Sequence, residues 1–144
     1  MANEVDTLSR RILEEVWNQR NLDLADQLIS DDFVTHDPRG TSGTGPEAYK
    51  EFVRQYLTAF PDLQFTIEDS VADDQSVATR WTATGTHNGP LYGIPATGRR
   101  VSVNGIVFNK FENGKFTVSW SAWDSLSLMK QLGVMPSPET VQAA

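Results

Sequence analysis

The sequence predicts an α+β fold, with N-terminal helices packed on one face of a mostly antiparallel sheet. Three observations predict it. Apolar residues recur at helical spacing as far as Phe60. From Leu63 onward the period switches to two, and the alternating runs follow one another with short connections, as antiparallel neighbours do. A chain of 144 residues has the length of one domain, 1–144, and no linker, internal repeat or low-complexity stretch divides it.

The first helix is read from Val5, Leu8, Ile12, Leu13, Val16 and Trp17, with Arg10, Glu14 and Asn18 off the stripe. Asn21 breaks the pattern. A second, short helix buries Leu24, Ala25, Leu28 and Ile29. Phe33 to His36 reads as a brief extended piece, ended by Asp37-Pro38 and a Gly-rich loop to Gly45. Thr44-Gly45-Pro46-Glu47 has capping-box spacing and opens a third helix. Its stripe of Tyr49, Phe52, Val53, Tyr56, Leu57 and Phe60 is that of a helix laid across a sheet, and Pro61 stops it.

Four long strands follow. Leu63 to about Asp73 is the first, Gln75 to His87 the second and Arg99 to Phe111 the third. Asn113-Gly114 is a hairpin signal leading into the fourth, Lys115 to Trp123. Between the second and third, Asn88 to Gly98 is a loop long enough to overhang something. A short helix spans Leu126 to Leu132, and Pro136 and Pro138 end regular structure ahead of a loose tail.

Composition narrows the functions. Twelve Lys and Arg against nineteen Asp and Glu leave a charge of −7, which argues against nucleic acid and anionic membrane as partners. The absence of cysteine removes disulfides, zinc-thiolate sites and thiol nucleophiles. His36 and His87 have no metal-ligand spacing, and neither a nucleophile elbow, a phosphate loop nor a dinucleotide fingerprint is present. Met1 to Val5 lacks the features of a signal peptide, and no apolar run approaches membrane-spanning length. A soluble, cytoplasmic protein without metal or cofactor is the expectation.

The last strand carries the sharpest signal. Phe116, Val118, Trp120 and Ala122 share one parity, and Asp124 falls on it, so a regular strand points its carboxylate where the aromatics point. A carboxylate facing an apolar interior is costly unless paired, and sites of chemistry use that cost to lift its pKa. Asp124 also stands just before the Leu126 helix as a potential N-cap. Asn104 alternates with Ile106 and Phe108, Arg80 with Thr82 and Thr84, and Trp81 with Ala83, Gly85 and His87. Each of these polar groups also has a structural reading, as a turn bond or a buried hydrogen bond. Parity alone does not say which face is inner, and a bulge shifts it.

The motifs His36-Asp37-Pro38, Phe60-Pro61-Asp62-Leu63, Arg80-Trp81 with Gly85-Thr86-His87, and Gly93 to Gly98 stand in a characteristic order. Phe111 to Lys115, then Trp120 to Asp124 running into Gln131-Leu132-Gly133, complete it. In this order and spacing the chain resembles the SnoaL-like family of polyketide (ester) cyclases, from about Leu13 to Gly133. The resemblance implies a cone-shaped α+β barrel shared with ketosteroid isomerase and nuclear transport factor, its curved sheet wrapped around helices over a deep apolar pocket. It implies ring closure by intramolecular aldol condensation without metal or cofactor, with Asp124 as the acid/base. Two departures stand out: Ala96 replaces the more usual Pro, and the strand beside Asp124 carries Asn104 and Asn109 but no histidine, so that His87 or His36 would substitute.

The leading reading is therefore a cofactor-free acid/base enzyme acting on a small apolar carbonyl or ester compound, with Asp124 catalytic. Trp120, Asp124, Asn104 and Tyr56 are expected to converge on one cavity, with Trp81 or His87 nearby and the Asn88–Gly98 loop at its mouth. His36, Phe108 and Trp123 complete the expected substrate-binding set. An epoxide-hydrolase-like activity using Arg80 and a non-catalytic protein binding an apolar metabolite are the alternatives. Apolar content on the outer sheet face predicts a homo-oligomer, a dimer.

Overall fold

The first helical stripe folds as α1 (Glu4–Arg11) and widens into π-helical turns over Ile12–Asn18. Asn3 caps α1 by accepting the Asp6 amide through its side chain. The wider turns bury Ile12, Leu13, Val16 and Trp17 together. A 3₁₀ turn, Leu22–Leu24, leads into α2 (Ala25–Leu28). Then come β1 (Ile29–Asp37), the two-residue β2 (Gly40–Thr41) and α3 (Gly45–Ala59). β3 (Gln64–Ala72), β4 (Ser76–Thr86), β5 (Arg100–Glu112) and β6 (Lys115–Trp123) precede α4 (Ser125–Gln131). These elements belong to a computed structural model that describes residues 3–134; the expectation for Pro136, Pro138 and the tail lies outside them.

The strands form one curved sheet in the order β2-β1-β6-β5-β4-β3, antiparallel throughout except for the parallel β1–β6 pair. The brief extended piece expected at Phe33–His36 is thus a nine-residue strand, and Ile29 opens it rather than closing α2. Its partner β6 lies far along the chain, and the polar run Ser30-Asp31-Asp32 conceals it from local pattern. The hairpin is as expected: Asn113 and Gly114 both take positive φ, 53° and 82°. The capping box is not. Thr44 makes no side-chain cap bond, and Glu47 instead joins Asp26 around the buried Lys50 ammonium, each at 2.9 Å, tying α3 to α2.

Three irregularities bend the sheet: between Ile29 and Val34 on β1, at Ile67/Asp69 on β3, and at Lys110/Phe111 opposite Val118/Phe116. The last decides which residues face inward. Thr117 is the extra residue of a β6 bulge, so Phe116 points in, and beyond it Ser119, Ser121 and Trp123 do so instead of Val118, Trp120 and Ala122. On β5 the inner set is Val101, Val103, Val107, Asn109 and Phe111. Arg20 bolts the end of the first helical segment to the turn before β3, donating to the carbonyls of Trp17, Leu63 and Pro61. Among the described residues no helix is long and apolar enough to cross a membrane.

Candidate functional site

Between the helices and the inner sheet face lies a cavity of about 120 Å³. Its walls are aromatic: Trp17, Phe52 and Tyr56 on the helical side, Phe65, Trp81 and Trp123 on the strands. The rings meet at edges and tilts, with Trp17–Phe65 at 5.1 Å, Phe65–Trp81 at 5.0 Å and Phe52–Tyr56 at 5.3 Å between centroids. Trp81 and Trp123 come together because Gly105 lies between them, paired with Trp81 on β4 and with Trp123 on β6. A Cβ there would stand 2.6 Å from the Trp123 Cβ and 2.7 Å from the Trp81 ring. The Trp17 indole N–H donates to the buried Tyr49 hydroxyl at 2.9 Å, and burial pushes the Tyr49 phenol up to about 12.

The wall is not uniformly apolar. Thr35, Ser119 and Asn109 are buried side by side, Thr35 paired with Ser119 across β1–β6 and Ser119 with Asn109 across β6–β5. All three line the cavity, as does Ser9 of α1, which accepts from Asn109 Nδ2 at 3.2 Å.

Thr35, Phe52 and Tyr56 also line a second, polar hollow of about 230 Å³ with Asp37, Arg39, Thr41, Gln55 and Tyr92. It is the vestibule of the aromatic cavity. The Tyr56 and Tyr92 hydroxyls are hydrogen-bonded at the junction, and the Arg39 guanidinium sits 3.7 Å above the Tyr92 ring. Burial, the neighbouring Tyr92 and the charge of Asp37 hold the Tyr56 phenol well above the ordinary tyrosine range. Burial raises Tyr92 too, against the bond from Tyr56 and the charge of Arg39. Both hydroxyls are therefore neutral donors near neutral pH. The Asp37 carboxylate accepts the Arg39 amide at 2.8 Å.

Tyr92 comes from the Asn88–Gly98 loop, which lies at the mouth as its length suggested. The base of the loop is held by Asn88 and Gly89 amides donating to the Ala59 carbonyl. A Cβ on Gly89 would meet the Thr58 carbonyl oxygen at 2.1 Å, so only glycine lets the loop pass this close to α3.

Of the residues expected to form one site, the structure brings Tyr56, Trp81 and Trp123 to the cavity. It separates the others. Asp124 is exposed, and its Oδ1 accepts the Ser127 amide at 3.0 Å as the N-cap of α4. Asn104 is exposed on the outer face, and Phe108 and Trp120 lie there together with ring centroids 6.0 Å apart. His36 stacks on Trp120 from the same side, 5.7 Å away, and its Nδ1 meets Thr41 Oγ1 at 2.8 Å. The expected convergence of Trp120, Asp124 and Asn104 with Tyr56 is thereby corrected; the Thr117 bulge reversed the parity on which it rested for β6. On β5 the apolar parity of Ile106 and Phe108 is the outer one. Arg80 likewise points outward, which removes the arginine from the alternative, epoxide-hydrolase-like arrangement. His87 is fully buried, but behind Phe60 rather than on the cavity wall. Its Nδ1 accepts from the Thr97 amide at 3.2 Å, and its Nε2 has no partner among the described residues.

Sequence reasoning did not single out Thr35, Ser119, Asp37, Arg39 or Tyr92. Asp37 stood within a quoted motif; Thr35 and Ser119 carried no signal, because small hydroxyls are common on strands of either face. Among the described residues no three His, Asp or Glu side chains cluster so as to hold a metal ion. The fitting contents of such a hollow are an apolar ring system in the cavity and its polar end in the vestibule.

Known proteins of this shape are numerous. AclR from Streptomyces galilaeus, a proposed hydroxylase, superposes with a TM-score of 0.81 at 28% identity, over 92% of this chain and 98% of its own. TsrD from Streptomyces laurentii does so with a TM-score of 0.81 at 30% identity, over 91% and 96%. A SnoaL-like polyketide cyclase from Agrobacterium tumefaciens gives 0.76 at 25% identity, over 92% and 100%. No curated protein matches the chain by sequence. The family model for SnoaL-like polyketide cyclases matches residues 7–132. That match takes in every strand and α4, and with it the aromatic cavity and its vestibule: the chain belongs to the SnoaL-like polyketide cyclase family.

Proposed function

We propose that the protein is a cofactor-independent acid/base enzyme that closes a ring in a small, flat carbonyl or ester compound by intramolecular aldol condensation. The observation that carries this reading is the aromatic cavity opening onto a carboxylate and two neutral phenols, Asp37, Tyr56 and Tyr92. In the reaction, the Asp37 carboxylate takes the proton from the carbon alpha to an ester carbonyl, and the electron pair moves onto the carbonyl oxygen. The Tyr92 hydroxyl, which accepts from Tyr56 and keeps its own proton because its pKa is raised, donates to that enolate oxygen. The enolate carbon then attacks a second carbonyl, and the resulting alkoxide takes the proton back from Asp37. Asp37, rather than Asp124, supplies the base in this proposal, since Asp37 lines the vestibule and Asp124 lines neither hollow.

The test is deuterium uptake and turnover on methyl-ester polyketide intermediates. Asp37→Asn is expected to lower the rate by about a hundredfold to ten-thousandfold, and Asp124→Asn to leave it within about twofold. Turnover by Asp37→Asn at the wild-type rate overturns the assignment. Loss of turnover in Asp124→Asn alone returns the role to the end of β6.

A second reading is binding without chemistry. It is favoured by the inner wall, whose lining among the described residues includes no carboxylate, imidazole or cationic side chain. A proposed hydroxylase and a SnoaL-like polyketide cyclase stand among the similar structures, so the fold does not choose the reaction. Tight binding of carbonyl compounds with no isotope uptake would establish this reading.

The outer face supports a further part of the proposal, a homodimer. Ile106 is 50% and Trp120 44% exposed, beside Phe108 and the stacked His36, and an exposed patch of this kind is what a two-fold partner covers. Sedimentation at micromolar concentration is expected to give twice the chain mass of 16.0 kDa; a species of 16.0 kDa overturns it.

A further inference from the structure

We infer that Arg39 is a specificity residue that anchors a carboxylate on the polar end of the ligand, so that the site takes acids in preference to their neutral counterparts. This rests on the reading of the aromatic cavity as the binding site and adds a charge requirement to it. Among the described residues, Asp37 and Arg39 are the charged side chains that line the vestibule. They stand two positions apart in the chain, but no ion pair joins them. The Asp37 carboxylate accepts the Arg39 backbone amide at 2.8 Å, and the guanidinium lies 3.7 Å above the Tyr92 ring instead. Among the described residues that guanidinium has no salt-bridge partner and donates no hydrogen bond.

Stacking on a ring uses the face of a guanidinium and leaves its edge free. The N–H groups all lie in that plane, in a fixed fork that matches the two oxygens of a carboxylate. A guanidinium is also weakly hydrated for a cation, so it exchanges water for a ligand more readily than an ammonium does. The charge sets the kind of anion. One guanidinium balances one negative charge, and with the Asp37 carboxylate in the same hollow the second charge of a phosphate would go uncompensated. Thr41 and Gln55 line the same hollow and add a hydroxyl and an amide to its wall.

Two tight turns bring the cation and its ring together. In the β1–β2 hairpin His36 pairs with Thr41 and Asp37 with Gly40, so Pro38-Arg39 is the turn itself. Pro38 fixes its own φ, Gly40 takes φ 124°, and the Asp37 side chain holds the Arg39 amide. Tyr92 stands at the tip of the second turn, closed by Leu91 and Ile94 amides that donate to each other's carbonyls at 3.0 and 2.7 Å. Its φ of 52° is one that aromatic residues rarely adopt, and such a residue persists where its surroundings fix it. Here the buried Leu91 and the hydroxyl bond to Tyr56 do so. A cation held in place beforehand loses little freedom when a ligand arrives. Tyr56 lines both hollows, so a ring seated among the aromatic walls directs a substituent past Tyr56 toward Arg39.

The experiment is equilibrium dialysis of the full chain against naphthalene, 2-naphthylacetate and 2-naphthylacetamide near neutral pH. The acid and the amide share one shape and differ in charge. The acid is expected to bind about tenfold more tightly than the amide, since a hydrogen bond to a charged group exceeds a neutral one by that order. Arg39→Gln is expected to bring the acid to the level of the amide or below it, because Asp37 then faces the ligand's charge without compensation. Naphthalene binding is expected to be retained in that variant, which also reports that it folds. Equal affinity of the wild type for acid and amide overturns the inference and leaves the cavity reading standing. A preference for the acid that survives Arg39→Gln overturns the role of Arg39. Failure of all three compounds to bind overturns the cavity reading as well. None of the three has a second carbonyl to condense, so the outcome does not depend on Asp37 being the base.

Discussion

Asp124 ends β6 with φ −78° and ψ 74° and presents Oδ1 to the Ser127 amide, one of the donors that the first turn of α4 leaves unpaired. Removing that oxygen leaves the amide to water. Asp124→Ala is expected to lower stability by about 1 kcal/mol, and Asp124→Asn, whose amide oxygen caps equally well, by a few tenths at most. Urea midpoints of the three proteins check this, and equal midpoints for alanine and wild type remove the cap. Both roles for Asp124 were legible in the sequence. The cap depends only on the next three residues, and local pattern identified it. The inward-facing carboxylate depended on an unbroken alternation over the whole of β6, and one extra residue, Thr117, was enough to reverse it. Tyr56, Trp81 and Trp123 reached the cavity as expected; of these, Trp123 did so on the parity opposite to that of Trp120. Thr35, Ser119 and Tyr92 were not legible, because what makes them a site is their neighbours on other strands and loops.

At the scale of elements, the joint of β4, β5 and β6 at Gly105 holds the aromatic end of the cavity open and packed at once. The glycine has a close-approach role here: a Cβ would lie 2.8 Å from the Ala122 carbonyl oxygen as well as against both tryptophans. Backbone cannot step aside as a flexible side chain can. Gly105→Ala is expected to cost about 1–3 kcal/mol, as overpacking of a filled core does, and to weaken naphthalene binding by displacing Trp81 or Trp123. Thermal denaturation with tryptophan fluorescence measures both, and a variant as stable as the parent would show that the three strands have slack. Periodicity found β3 to β6 and the Asn113-Gly114 hairpin nearly to the residue, because antiparallel neighbours announce themselves locally. The parallel strand β1 was cut short, since its pairing with β6 is set by distant residues and its first four residues include two aspartates.

For the whole molecule, curvature of the sheet brings all three tyrosines of the chain to the cavity or its mouth. Each phenol is raised above its ordinary value with burial as the largest cause, Tyr49 to about 12 and Tyr56 and Tyr92 in the same direction. The sign of the resulting pH dependence is definite. Below about pH 10 the phenols are protonated in both folded and unfolded chains and contribute no slope. Above it the unfolded chain releases protons that the folded chain retains, so unfolding gains and stability falls as pH rises toward the folded pKa values. Lys50 acts in the same direction, because hydrogen bonds to Asp26 and Glu47 raise its ammonium. The tyrosine part is separated by tyrosinate absorbance in the ultraviolet. The native protein is expected to release its tyrosine protons at higher pH than the urea-unfolded protein, which shows all three near pH 10. Tyr56→Phe should make the alkaline loss of stability shallower, since the phenol with the largest displacement is gone. If the three phenols of the native protein titrate together at the ordinary value, water reaches them freely, and the aromatic cavity on which the binding and chemical proposals both stand is not present in solution.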